Sequence, residues 1–367
     1  MQLVPIIWIL VLCCSSRSMH GQATQDSFPP LNGIMAGVLY GSIFAHSEAV
    51  QNTAGAHPFG VEFQRIRQQV GEKAYNICRC YPKQSILVSA YSFDNEVLGW
   101  SVMAAYMLEP TYRLNDWLFF SMRGAVGGAY ASHPYHANTN PGNQSYSTRL
   151  NAYLMYGLGL QLQFHPRTAL QLTANFQHIS NGGLKEPNKG VNWPSVGLHV
   201  LRYNDPLNLY RGTRQKDNSW RILGWRKDVG VFGIAKRWIG SNGDSRRLPV
   251  VGAIAQIGKQ VGMINHLTTG VEWSYDGTID KKLMVDSMAG SPHKLGLMGG
   301  HEFLLGRIIF SQQVGVYVYK DNPDADGWFH RWGLLYRVGN RYWMGFNLKA
   351  HLHVADFIDL RMVYSWR

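Results

Sequence analysis

The chain has 367 residues, of which 16% are charged and 13% aromatic, with a formal net charge of +12. Charge is well below the roughly 25% usual in soluble domains, and beyond the N-terminus no apolar run approaches the ~20 residues a membrane helix needs. A helical membrane protein and a disordered chain are thereby excluded. What remains is a Gly- and aromatic-rich chain that suits a soluble all-β protein or a membrane β-barrel.

In chain order, Pro5 to Cys14 is an apolar stretch of signal-peptide length, with Gly21 and Ala23 as small residues for cleavage after Ala23. No Lys or Arg precedes that core. Residues 1–23 are read as a signal peptide and residues 24–367 as one barrel. Of the cysteines, only Cys78 and Cys80 follow the cleavage point. On a strand, a bridge across the single Arg79 would be strained, so they read as two ordinary thiols.

The strongest pattern further along is period-two alternation. From Leu150 to Phe164, Leu150, Ala152, Leu154, Tyr156, Leu158, Leu160, Leu162 and Phe164 share one face, opposite Asn151, Gln161 and Gln163. Such a run is longer than the usual soluble strand. Tyr342 to Val354 repeats it, with Asn347, Lys349, His351 and His353 on the polar face, and so does the terminal run that ends Tyr364, Ser365, Trp366, Arg367. A polar face of Gln, Asn, Gly, Lys and His suits a hydrated barrel interior better than a charge-rich exterior. The predicted fold class is all-β, a closed antiparallel transmembrane β-barrel of about 12 to 16 strands. Segments 133–147, 204–219, 240–247, 276–293 and 320–327 read as its loops. His351 and His353 read as lumen polarity rather than metal ligands.

One strand breaks the pattern. Between Arg167 and Ser180, Leu170, Leu172, Ala174 and Phe176 form the apolar face, and the same period puts His178 and Ser180 on it. Side chains at i and i+2 of a strand are neighbours, so imidazole and hydroxyl lie within hydrogen-bonding reach. A base and a nucleophile facing hydrocarbon are useless to a soluble substrate but accessible to a lipid. The tight His165-Pro166-Arg167-Thr168 connection reads as periplasmic and the longer 181–194 segment as extracellular, which puts the pair near the outer leaflet.

The run Gln177-His178-Ile179-Ser180-Asn181-Gly182-Gly183-Leu184, followed by Pro187-Asn188-Lys189-Gly190-Val191-Asn192, resembles the active-site signature of the lipid A 3-O-deacylase (PagL) family. Ala49 to Gly60 resembles the longer, Bacteroidetes-type, acyloxyacyl hydrolase-like members of that group. The resemblance implies an outer-membrane ester hydrolase that removes the 3-O-linked acyl chain of lipid A. It implies Ser180 as nucleophile, His178 as general base, and Asn181 and Asn188 as support for the oxyanion. Asn192 falls where shorter members carry a Glu that orients the histidine; Glu186, in the same loop, is the alternative third member. No metal or cofactor is implied. The expected partner is lipid A or lipopolysaccharide in the outer leaflet, with no nucleic acid, and the positive charge suits its phosphates. Arg202, Arg211, Arg214, Lys216, Arg221, Arg226, Lys227, Arg246 and Arg247 are the loop cations in view. Two rival readings keep the fold: a non-catalytic pore or structural barrel, and an outer-membrane phospholipase.

Overall fold

The computed structural model describes residues 28–213, 218–240, 245–322, 327–351 and 354–367. The expected signal peptide lies outside the described residues. Strands dominate because the chain alternates over stretches of 10 to 16 residues, and the alternation is the burial pattern itself. In Phe59–Gln68, for example, Phe59, Val61 and Phe63 face out while Glu62, Gln64 and Gln68 are buried.

The first nine strands are β1 (Leu31–Gly41), β2 (Phe59–Gln68), β3 (Lys83–Ser92), β4 (Trp100–Glu109), β5 (Thr111–Arg113), β6 (Leu118–Ala131), β7 (Leu150–His165), β8 (Thr168–Ser180) and β9 (Val191–Tyr203). They run antiparallel to their neighbours. Apart from the three-residue β5, they close into an eight-stranded barrel, because β4 pairs with β6 and β9 returns to β1 with Gly33 opposite Tyr203 and Gly41 opposite Ser195. The next eight are β10 (Arg226–Ile239), β11 (Ser245–Gln260), β12 (Asn265–Asp276), β13 (Ser291–Leu305), β14 (Ile308–Asp321), β15 (Trp328–Arg337), β16 (Tyr342–His351) and β17 (Val354–Trp366). They close separately, β10 against β17 with Lys227 opposite Trp366.

The expected single barrel of 12 to 16 strands is therefore corrected to two barrels of eight strands each. The reason is strand pairing: the segment 204–219, which read as one more loop, lies between two sheets, the first ending at Tyr203 and the second beginning at Arg226, that each satisfy their own edges. Closure pairs the outer strands of each barrel, and the exterior is apolar, the two features that a membrane-spanning sheet requires.

Both interiors are filled. In the first barrel Lys83 Nζ meets Glu109 Oε1 at 3.1 Å and Gln161 Oε1 at 2.6 Å, and Arg123 meets Glu62 Oε1 at 3.1 Å. In the second, Arg331 joins Asp359 Oδ2 at 2.6 Å and Glu272 Oε1 at 2.8 Å, and Lys349 reaches the same Glu272 at 2.8 Å. His351 takes part in a bond with Tyr317 Oη at 2.9 Å, and His353 lies outside the described residues. Arg226, expected among the loop cations, is instead buried in the second lumen against Asp228 and Glu302, while Arg214 and Lys216 lie outside the described residues.

Two further expectations are corrected. Cys78 and Cys80 form a disulfide with Cα atoms 5.1 Å apart. They do not sit on a strand: Cys78 ends the helix α1 (Glu72–Cys78), and Arg79 follows with φ 56°, a left-handed turn that brings the two cysteines together. The segment 276–293 is not only loop. It holds α2 (Gly277–Val285), whose N-cap Asp276 accepts from the Thr278 amide at 2.9 Å.

Candidate active site

The site is built on the β8–β9 hairpin, and its outward aim is set by what lies between its residues. Ile179, Val191 and Trp193 point into the first barrel, where they are almost fully buried with Tyr91, Phe93 and Tyr153. Gln177, also inward, donates to Tyr91 Oη at 2.7 Å and to Ser195 Oγ at 2.8 Å, and accepts from Tyr153 Oη at 2.7 Å. With these positions anchored inside, period two leaves His178, Ser180 and Asn192 on the outer face. The register puts His178 directly opposite Asn192.

The three side chains form one chain of hydrogen bonds. Ser180 Oγ lies 2.8 Å from His178 Nε2, and His178 Nδ1 lies 2.7 Å from Asn192 Oδ1. An amide oxygen only accepts, so it fixes the proton on Nδ1 and leaves Nε2 as the acceptor for the serine hydroxyl. This is the tautomer a general base needs. Asn192, not Glu186, meets the imidazole; Glu186 is exposed in the loop and makes no hydrogen bond to it.

The loop 181–190 is stitched back onto the barrel. Asn188 Oδ1 accepts the Asn181 backbone amide at 2.9 Å. The Asn181 side chain is buried and turned away from Ser180, donating to Lys185 O at 2.7 Å and to Ser147 Oγ at 3.2 Å. Of the two asparagines expected near the oxyanion, Asn181 is thus occupied with holding the loop. Gly190 closes it, its amide donating to Ser145 O at 2.7 Å in the 132–149 connection. That connection is itself rigid: Asn143 caps the Ser145 and Tyr146 amides at 2.9 and 3.2 Å, and Tyr146, fully buried, donates to Leu98 O at 2.6 Å. Burial pushes the Tyr146 phenol above its ordinary range.

One residue of the site was not anticipated from sequence. His46 Nδ1 lies 2.9 Å from Asn192 Nδ2. It stands 146 positions from Asn192 in a segment without a recognisable nucleophile or base pattern.

The model of the family described as lipid A 3-O-deacylase (PagL) matches residues 81–200, which include His178, Ser180 and Asn192. The model described as acyloxyacyl hydrolase, C-terminal domain, matches residues 225–367, the whole second barrel. The chain belongs to the PagL family. It is accordingly a barrel of the bacterial outer membrane, in a family of lipid A deacylases. No curated protein matches the chain. Among solved structures it is similar to Ail, the attachment invasion locus protein of Yersinia pestis, at 14% identity over 48% of this chain and 99% of that one, with a TM-score of 0.30. It is also similar to a mutant of the TodX monoaromatic hydrocarbon channel, at 10% identity over 92% of this chain and 90% of that one, TM-score 0.22. A mutant Rh. blastica porin follows, at 9% identity over 92% and 99%, TM-score 0.18.

Proposed function

We propose that the protein hydrolyses the ester that holds the 3-O-linked acyl chain of lipid A, with Ser180 as nucleophile, His178 as general base and Asn192 as the group that orients the imidazole. The observation that carries this reading is the bonded series Ser180–His178–Asn192 on the outer face of a membrane barrel, inside the segment that the deacylase model matches. A lipid in the outer leaflet reaches such a face by lateral diffusion.

In this mechanism His178 Nε2 takes the Ser180 proton as Oγ attacks the ester carbonyl, forming the Oγ–C bond and an oxyanion. The imidazolium returns that proton to the sugar oxygen as the C–O ester bond breaks. Water, deprotonated by the same Nε2, then attacks the acyl-enzyme, releasing the fatty acid and restoring the serine. Asn188 keeps its Nδ2 for the oxyanion, since its Oδ1 is spent on the Asn181 amide. Asn192 aligns the imidazole but stabilises its charged form less than a carboxylate would, so a modest kcat is expected.

Mass spectrometry of lipid A and phospholipids from cells with and without the gene tests this. Wild type should yield lipid A lacking the 3-O-acyl chain with unchanged phospholipids, and Ser180→Ala and His178→Ala should each retain that chain. Lysophospholipid without lipid A change would favour the phospholipase reading, and an unchanged profile in all strains would favour a non-catalytic barrel.

A further inference from the structure

A carboxylate presents the same face to its partner whichever way it turns: both oxygens accept. An amide does not. If Asn192 turned over, Nδ2 would donate to His178 Nδ1, the imidazole proton would move to Nε2, and Nε2 would donate to Ser180 instead of accepting from it. That arrangement keeps every hydrogen bond and cannot deprotonate the serine. An Asn at this place therefore needs something that holds its orientation.

From the contact between His46 and Asn192 we infer that His46 is a positioning residue for the reaction, an acceptor that locks the Asn192 amide with its oxygen toward His178. This rests on the catalytic reading above. Nδ2 is a donor only, so at 2.9 Å His46 Nδ1 accepts from it and carries its own proton on Nε2. Turning the amide would set Oδ1 against the lone pair of His46 Nδ1, so the turned state is reached only if His46 also moves its proton from Nε2 to Nδ1. His46 thus adds a second proton shift to the turning of the amide and so favours the orientation with Oδ1 toward His178, a bias that a carboxylate would never need.

The fold holds His46 there deliberately tightly. After β1 the chain continues alongside β9: Ser42 donates to Pro194 O at 3.1 Å, and Phe44 donates to the carbonyl of Asn192 itself at 2.8 Å. Ile43, buried in the barrel, donates to Ala56 O at 2.9 Å. The chain then enters a 3-10 turn over Glu48–Thr53, pinned by buried Val50 and by Asn52 Nδ2 donating to Gly142 O at 2.9 Å. His46 lies between these two fixed points, two residues past the one that bonds the Asn192 backbone. It lies outside residues 81–200, the range that the deacylase model matches.

The test uses the full-length protein in detergent micelles with purified lipid A, scoring released 3-hydroxy fatty acid, with folding checked by heat-modifiable gel mobility. His46→Ala should lower kcat about 10- to 100-fold with KM little changed, below the roughly 10⁴-fold seen when a triad histidine is held in the wrong tautomer. The decisive arm is the Asn192→Glu background, where both carboxylate oxygens accept: there His46→Ala should change kcat less than about twofold. A similar loss in both backgrounds would overturn the inference, because it would mean that His46 acts by packing or on substrate. So would wild-type kcat for His46→Ala alone. Ser180→Ala is the control for the underlying reading. If it stays active the catalytic assignment fails; if it is inert while His46→Ala is fully active, only the present inference fails.

Discussion

Gly190 shows how little room the site leaves. Its φ is +79°, where an L side chain is strained, and a Cβ there would lie 2.6 Å from His178 Cε1 and 3.2 Å from Ile179 O. Gly190→Ala is expected to displace the imidazole from Ser180 Oγ; a shift of about 1 Å is enough to cost on the order of 100-fold in rate, with about 1–2 kcal/mol of backbone strain in addition. Steady-state kcat beside urea unfolding of the same preparation separates the two effects: activity should fall far more than stability. Gly183, at φ +80° with nothing within 4 Å of an added Cβ, is the matched control that carries the strain without the clash. At this scale the sequence disclosed what is local. His178 and Ser180 are two residues apart, and Asn192 stands at a motif spacing. It was silent about His46, since nothing in a run of Ala45-His46-Ser47 says which amide 146 positions away it will meet.

At the scale of the hairpin, chemistry and stability are coupled through alternation. The isoleucine between base and nucleophile is completely buried in the barrel, whereas Leu172 on the same strand is 55% exposed and faces outward. Ile179→Ala should therefore open an internal cavity and cost about 2–5 kcal/mol, and because it loosens the anchor between His178 and Ser180 it should lower kcat as well. Leu172→Ala removes as much side chain but leaves no internal void, so a smaller loss of stability and unchanged kcat are expected. Urea titration in lipid vesicles, with the deacylation assay run alongside, checks both; equal effects from the two substitutions would contradict the inward anchoring. Strands such as β7 were legible because a membrane barrel stretches the two-residue period over 16 positions, long enough to be unmistakable. The elements outside the membrane were not. The helix α2 spans nine residues whose polar, Asp- and Gly-containing context also reads as loop, and the Cys78–Cys80 bridge depends on a left-handed Arg79 that no local residue preference announces.

For the molecule as a whole, a range of 12 to 16 strands was readable, and their partition into two barrels of eight was not. Closure depends on pairings such as β1 with β9 and β10 with β17, each joining the first and last strands of its barrel. Period two says which face of a strand is apolar but not which distant strand it meets. The partition has a physical consequence, because eight strands enclose a space that side chains can fill. They do fill it. Arg331, with no exposed surface, lies between Asp359 and Glu272 and over the Phe232 ring at 4.7 Å, and Lys349 sits over the Phe329 ring at 4.3 Å. In the other barrel Lys83, Glu109, Gln161 and Gln171 occupy the axis in the same way. An ion would have to displace bonded charges to cross either lumen, so the protein reconstituted in planar bilayers should show no steady conductance, which separates it from a pore. Arg331→Ala takes the cation away from two buried carboxylates; breaking such a pair costs about 3–5 kcal/mol. Unfolding in urea should shift to correspondingly lower denaturant, and Arg331→Met with Asp359→Leu, which removes charge from both sides, should recover part of the loss. If the single substitution instead opened a stable ion-conducting channel without loss of stability, the charged core would be a removable plug rather than part of the barrel's packing.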